Sequence, residues 1–389
     1  MPSVRLTWSG REAPAPLPGP AVLAPVHRFP GEGTPNRLVL GDNLAVLVAL
    51  REELAGRVDL VTIDPPYSTG AERTARGGRY KDAWGGLAGY LAMMEPRLRL
   101  LWELLAPTGV LIVQSDHRAH PYLRVLLDEL FGADRLVNDI VWSYRSGGGT
   151  KRRFGAKHDN LAVYAKSEAF HFNPDAVRVP YDASIAAKRA HLFHPAGKVP
   201  GDVWEISRPP NHAEEWTGYP TQKPVELLAF QIRAFTPEDG LVLDAFCGSG
   251  TTAVAAAGLG RRWIGIDENP RAVHVARTRL ATLAEARPFD VLYDAANAPE
   301  SGGTLAARVT DAAVELTGYE PGGLEAVETW SVEVNGTGGI FTHDWCAERP
   351  KKGAMIAHRS PALPLVPGSR IRVFAADREG RETIAAVNV

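Results

Sequence analysis

The run VDLVTIDPPYSTG, residues 58–70, ends on residue types that could do chemistry. Val58, Leu60, Val61 and Ile63 suit a buried strand. Asp64 then sets a carboxylate at the strand end. Pro65 and Pro66 remove two consecutive backbone donors, and Tyr67 adds a flat aromatic face. Folding alone does not ask for that order, and the plain alternative is an acidic turn after a strand.

A second loaded stretch is LVLDAFCGSGTTAVAAAGLGRRWIGIDEN, residues 241–269. Gly248, Ser249 and Gly250 follow a strand that ends near Phe246 and Cys247, and they allow a tight turn with close backbone approach to a ligand. Thr251 and Thr252 open the next helix, whose first amides attract negative charge. Asp267 ends the following strand, where an acid can accept hydrogen bonds from ribose hydroxyls. Taken alone, the glycine pattern fits NAD or another adenosine-containing cofactor. Three details favour S-adenosylmethionine. Asp244 lies where a carboxylate can meet a cationic amino group and would repel a pyrophosphate. Phe246 and Cys247 offer an apolar wall for adenosine. The DPPY run shares the chain, and a dehydrogenase has no use for it.

The elements around these motifs alternate. LVL at 38–40, the VDLVTI run, GVLIVQSD at 109–116, LVLDAF at 241–246 and WIGID at 263–267 read as strands. Between them AVLVALREELAG, a long segment interrupted by Pro96, PYLRVLLDELFG and TQKPVELLAFQIRAFT read as helices, the last entered through Pro224. DIVWSY and NLAVYAK read as strands flanking the basic, glycine-rich SGGGTKRRFGAKH. The pattern is that of an α/β, doubly wound, mostly parallel sheet. Residues 1–35 read as an extended arm and 36–286 as the catalytic unit, with 145–218 inserted. Residues 287–389, alternating in period two with glycine turns, read as a small separate β-domain of sandwich type.

Composition narrows the classes. The chain has 389 residues and a formal net charge of −2, so any nucleic-acid contact must use a local basic face. Cys247 and Cys346 are the only cysteines, which argues against a disulfide framework or a structural zinc site. The Pro-rich start lacks a signal-peptide core, and no run reaches membrane-spanning length. A cytoplasmic location without a membrane partner is the expectation.

DPPY at 64–67 followed by FCGSGTT at 246–252 resembles the permuted, β-class DNA amino-methyltransferases, over roughly residues 36–286. LVLGDNLAVL, TQKPVELL and RRWIGIDENPRAVHVARTRL also match in order, and IVWSYRSGGGTKRRFGAKHDNLAVYAKS is similar to type III modification subunits. The resemblance implies methyl transfer from S-adenosylmethionine to an exocyclic amine of a base flipped out of duplex DNA, without a metal. Asp64 and the Pro65 carbonyl would accept the two amine hydrogens, Pro66 would stiffen the turn, and Tyr67 would stack on the base. The aspartate-led tetrad favours adenine N6, because the family's cytosine N4 enzymes more often begin with serine. Asp42 would lie by the cofactor or else cap a helix. Lys223 would meet the methionine carboxylate or else stand in solvent.

Phosphate contacts are expected from Arg145, Lys151, Arg152, Arg153 and Lys157, and from Arg73, Arg76, Arg79 and Lys81 after the tetrad. Solvated charged loops are the alternative for both. Target recognition is assigned to the insert by position. A homodimer and a restriction subunit are compatible partners, and an idle DNA-binding subunit is the rival from another class.

Overall fold

The structure, a computed structural model, describes all residues except 1–3, 9–10, 12–15, 68–71, 76–77, 82–83, 145–150, 153, 182–192, 211–212, 214, 284–286, 300–301, 337, 351–354 and 389. Arg76, Arg145 and Arg153 therefore lie outside the described residues, as do the side chains of Arg73, Arg79 and Lys81.

The first part of the chain runs β1 (Leu23–Phe29), β2 (Asn36–Leu40), α1 (Asn43–Leu54), β3 (Val58–Ile63), the hairpin β4 (Glu72–Ala75) and β5 (Gly78–Lys81), α2 (Leu87–Leu104), β6 (Leu105–Asp116), α3 (His120–Phe131), β7 (Leu136–Ser143), β8 (His158–Ala165) and β9 (Val203–Glu205). It continues through α4 (Val225–Phe235), β10 (Leu241–Asp244), α5 (Thr251–Gly258), β11 (Arg262–Asp267), α6 (Pro270–Ala281) and β12 (Phe289–Asp294). The remainder is all β: β13 (Thr304–Thr310), β14 (Ala313–Glu320), β15 (Val327–Val334), β16 (Phe341–Thr342), β17 (Trp345–Glu348), β18 (Arg370–Asp377) and β19 (Glu382–Asn388).

One large sheet has the order β16-β1-β12-β2-β11-β10-β3-β6-β8-β7-β9. Strands β12, β2, β11, β10, β3 and β6 are mutually parallel, and cover on both faces explains apolar runs such as Leu38–Leu40, Val110–Val113 and Leu241–Leu243. Helix α1 packs against α2 and α4 against α5, and their apolar sides bury two cores separated by the sheet. The connections from β3 lead to one side of the sheet and those from β10 to the other. These two strands are neighbours, with Leu60 opposite Val242 and Val61 opposite Leu243. Their carboxyl ends mark a topological switch point, where open α/β sheets bind ligands.

Three expectations need correction. Helix α2 is continuous through Pro96, because Tyr90, Leu91, Met94, Leu98 and Leu101 bury one face on both sides of it. The large sheet reaches beyond 36–286 in both directions: β1 pairs antiparallel with β12, and β12 pairs parallel with β2. Strand β8, inside the 145–218 stretch, is no insert but a sheet strand between β6 and β7.

The C-terminal strands form the hairpin β13–β14 and the antiparallel sheet β17-β15-β18-β19. Val314, Leu316 and Tyr319 of the hairpin share a core with Val327, Trp330, Val332, Ile371 and Val373. This unit is also tied to the large sheet, where β16 adds to the edge strand β1.

Candidate active site

Asp64 leaves β3 and Asp244 ends β10, one strand over, so the parallel register alone brings the two loaded motifs to one sheet edge. A cleft of about 900 Å³ opens there. Its walls include Asp64, Pro65, Pro66 and Tyr67 from the tetrad, Phe246, Cys247, Gly248 and Ser249 from the glycine turn, and Thr251, Thr252 and Asp267 beyond it.

The Asp64 carboxylate is held from both sides. Tyr67 donates its hydroxyl to Oδ1, and Lys223 places Nζ on Oδ2. The ammonium also lies 5.6 Å from the centre of the Tyr67 ring. Gln114, at the end of β6, donates to the Tyr67 hydroxyl at 3.1 Å and to Asp159 at 3.2 Å. Asp159 accepts the Tyr144 hydroxyl at 3.2 Å and faces Arg208 at 3.6 Å. A polar chain thus runs from β8 through Gln114 to Tyr67, Asp64 and Lys223. Burial drives the Tyr67 hydroxyl well above its ordinary pKa, with Asp64 and Asp159 adding to the effect, so it stays protonated and donates.

The glycine turn is shaped by its backbone. Gly248 and Gly250 have φ of 49° and 73°, the left-handed region where side chains are strained. A Cβ on Gly250 would come within 2.6 Å of the Ala276 Cβ, so α5 and α6 can pack this closely only with glycine there. Asp244 accepts the Thr252 hydroxyl at 2.5 Å and the Phe246 amide at 3.0 Å, and Asp267 accepts the amides of Gly248 and Asn269 at 2.8 and 2.9 Å. Burial pushes Asp244 up to about 7 and Asp267 up to about 6. Two buried acids that line an open cleft and meet no cation among the described residues fit a ligand that brings an ammonium and hydroxyl donors. The α-amino group and ribose of S-adenosylmethionine have those features. Phe246 and Cys247 supply apolar surface, and burial keeps the Cys247 thiol protonated.

Other sequence candidates sit differently. Asp42 caps α1, accepting the Leu44 amide at 3.0 Å and the Arg97 guanidinium at 2.8 Å; the cleft wall there is Asn43 and Arg97. Lys223 faces the tetrad carboxylate. Gly250 shapes the turn from behind. Lys151, Arg152 and Lys157 are exposed on the β7–β8 connection. The sequence reading did not name Gln114, Asp159, Tyr144 or Arg208. Gln114 and Asp116 close an apolar strand much as Asp64 does, and that signal could have flagged them. Asp159 starts a strand, and only the antiparallel pairing of β8 with β6 carries it to the same edge.

The chain matches the N6/N4 methyltransferase family of DNA methylases over residues 58–278. It is 29% identical over 315 residues to the type II methyltransferase M.EcaI of Enterobacter cloacae, covering 64% of this chain and 70% of that protein. It is 28% identical over 253 residues to the DNA adenine methyltransferase YhdJ of Escherichia coli K12, covering 62% and 82%. Among solved structures, the cytosine-N4-specific PvuII DNA methyltransferase aligns with a TM-score of 0.49 and 22% identity, over 64% of this chain and 87% of that one. Because the family match spans more than half of its residues, the chain belongs to the N6/N4 DNA methylases, which take their methyl group from S-adenosylmethionine.

Proposed function

We propose that the protein methylates adenine N6 at a short sequence in duplex DNA, acting on a base extruded into the cleft. The observation that carries this reading is the shared cleft, lined both by a carboxylate fixed at the end of β3 and by the glycine turn that follows β10. S-adenosylmethionine, held by Asp244, Asp267 and the turn 248–252, would supply an electrophilic methyl group. The chain's own residues then have to deal with the acceptor. An exocyclic amine is a poor nucleophile because its lone pair is delocalised into the ring. Asp64 and the Pro65 carbonyl accept its two hydrogens, and acceptors placed off the base plane favour a pyramidal nitrogen with its lone pair free. The prolines leave that carbonyl little freedom to lose. Tyr67 offers its face for stacking, while its hydroxyl and Lys223 keep Asp64 from turning away. Asp64 need not be a strong base, since the methylated ammonium is acidic and loses its proton afterwards.

Two considerations support adenine over cytosine: the tetrad begins with aspartate, and a similar protein is named a DNA adenine methyltransferase. Lys151, Arg152 and Lys157, exposed on the β7–β8 connection, are assigned to phosphates, with Arg73, Arg76, Arg79, Lys81, Arg145 and Arg153 assigned by sequence. Nucleoside mass spectrometry of DNA treated with the protein and S-adenosylmethionine tests the reading. N6-methyladenine is the expected product, and N4-methylcytosine alone would overturn the base assignment.

A further inference from the structure

The β7–β8 connection carries a feature that phosphate binding does not use. Phe154 has a relative exposure of 101%, and among the other described large apolar side chains none exceeds 73%. Single exposed apolar residues are ordinary on surfaces, but a full phenyl ring left in water is a large unsatisfied apolar area. Its setting is specific. Residues 145–158 contain no acid, and Lys151, Arg152 and Lys157, within three positions of Phe154 in the chain, are exposed as it is. The connection rises from the active edge of the sheet, where Ser143 pairs with His158 and the Tyr144 amide donates to the Lys157 carbonyl at 3.0 Å. Ala156, two residues from Phe154, and His158 line the same cleft as Asp64 and Tyr67. Two residues of chain span at most about 7 Å, so the Phe154 backbone lies within that distance of the cleft wall at Ala156.

An exposed aromatic ring in a basic segment without acids suits one surface better than any apolar protein patch: a stack of aromatic bases bordered by phosphates. Resting on the reading that the target base is extruded, we propose that Phe154 is the wedge that enters the duplex and fills the space the target base vacates. The flanking cations hold the phosphates on either side. Extrusion costs unpairing and unstacking, and a ring that replaces the lost stacking lowers that cost.

The test compares the unaltered protein, Phe154→Ala and Phe154→Trp on two duplexes containing the methylated sequence, once that sequence has been mapped. In one duplex the target base is paired; in the other it faces an abasic position, where extrusion is cheap. We expect Phe154→Ala to lower kcat/KM on the paired duplex by about 10–100-fold and on the abasic duplex by less than about threefold, with Phe154→Trp close to unaltered on both. Fluorescence of 2-aminopurine at the target position should show reduced extrusion by Phe154→Ala on the paired duplex. Equal loss on both duplexes, or no loss on either, would overturn the wedge while leaving the methyltransferase reading intact. An unaltered protein that methylates neither duplex would instead overturn the functional reading and the wedge together.

Discussion

In the proposed mechanism Tyr67 meets two demands with one side chain: a flat face for a base, and a hydroxyl that fixes Asp64 while accepting from Gln114 at 3.1 Å. The two parts can be separated. Tyr67→Phe keeps the face and removes the bond, which is worth about 1.5–3 kcal/mol when the acceptor is charged. Single-turnover kinetics should show methyl transfer slowed by about tenfold or more, with KM for DNA little changed; a raised KM at unchanged rate would place the hydroxyl in binding instead. At this scale the sequence was readable where neighbours in the chain act together, as in DPPY and FCGSGTT. It was not readable where partners are remote. Lys223 reaches Asp64 across 159 positions, and nothing local to TQKP tells an ammonium aimed at a cofactor carboxylate from one aimed at the tetrad.

Strands β3 and β10 do the positioning, because their parallel register places Asp64 and Asp244 at neighbouring ends. The field of one acid is felt by the other: burial raises Asp244 most, and Asp64 adds to it. Below a pH of about 7 Asp244 takes up a proton, so a cationic ligand then meets a neutral group. Affinity for S-adenosylmethionine should therefore rise with pH through about 6–7 and level off above. Asp244→Asn should bind weakly at every pH, with a flatter profile. Binding titrations across that range check the sign; affinity that falls as pH rises would contradict it. Strands β2, β3, β6, β10 and β11 were legible because two-sided burial demands uninterrupted apolar runs. Strands β1 and β12 were not. LAPVHRF carries a proline and two basic residues, as an edge region tolerates, and FDVLYD alternates like the β-domain that follows it.

Across the whole molecule, a buried charge cluster ties the C-terminal β-unit to the catalytic sheet. Glu382 of β19 accepts Arg277 of α6 at 2.5 Å, Tyr293 of β12 at 2.8 Å and His27 of β1 at 3.1 Å. Burial alone would raise its carboxyl, but Arg277 and His27 hold it well below the ordinary carboxylate range. Arg271 of α6 reaches Glu328 of β15 at 2.6 Å in a second tie. Glu382→Ala leaves Arg277 buried and unpaired, which costs about 3–5 kcal/mol, and urea unfolding should show that loss. A change below about 1 kcal/mol would mean that the Glu382 cluster does not hold the two parts together. A β-rich end was legible in the period-two alternation but this tie was not, since Glu382 looks like one more surface acid on an alternating strand. The tie holds α6 and β12 in the frame that carries the cleft, but the proposed chemistry rests on one carboxylate, that of Asp64. The most direct test is single-turnover methyl transfer to duplex DNA by Asp64→Ala, with S-adenosylmethionine affinity measured on the same protein. The expected result is transfer reduced by at least about 10²–10³-fold with cofactor affinity within about threefold. Transfer within tenfold of the unaltered protein would contradict the role given to Asp64.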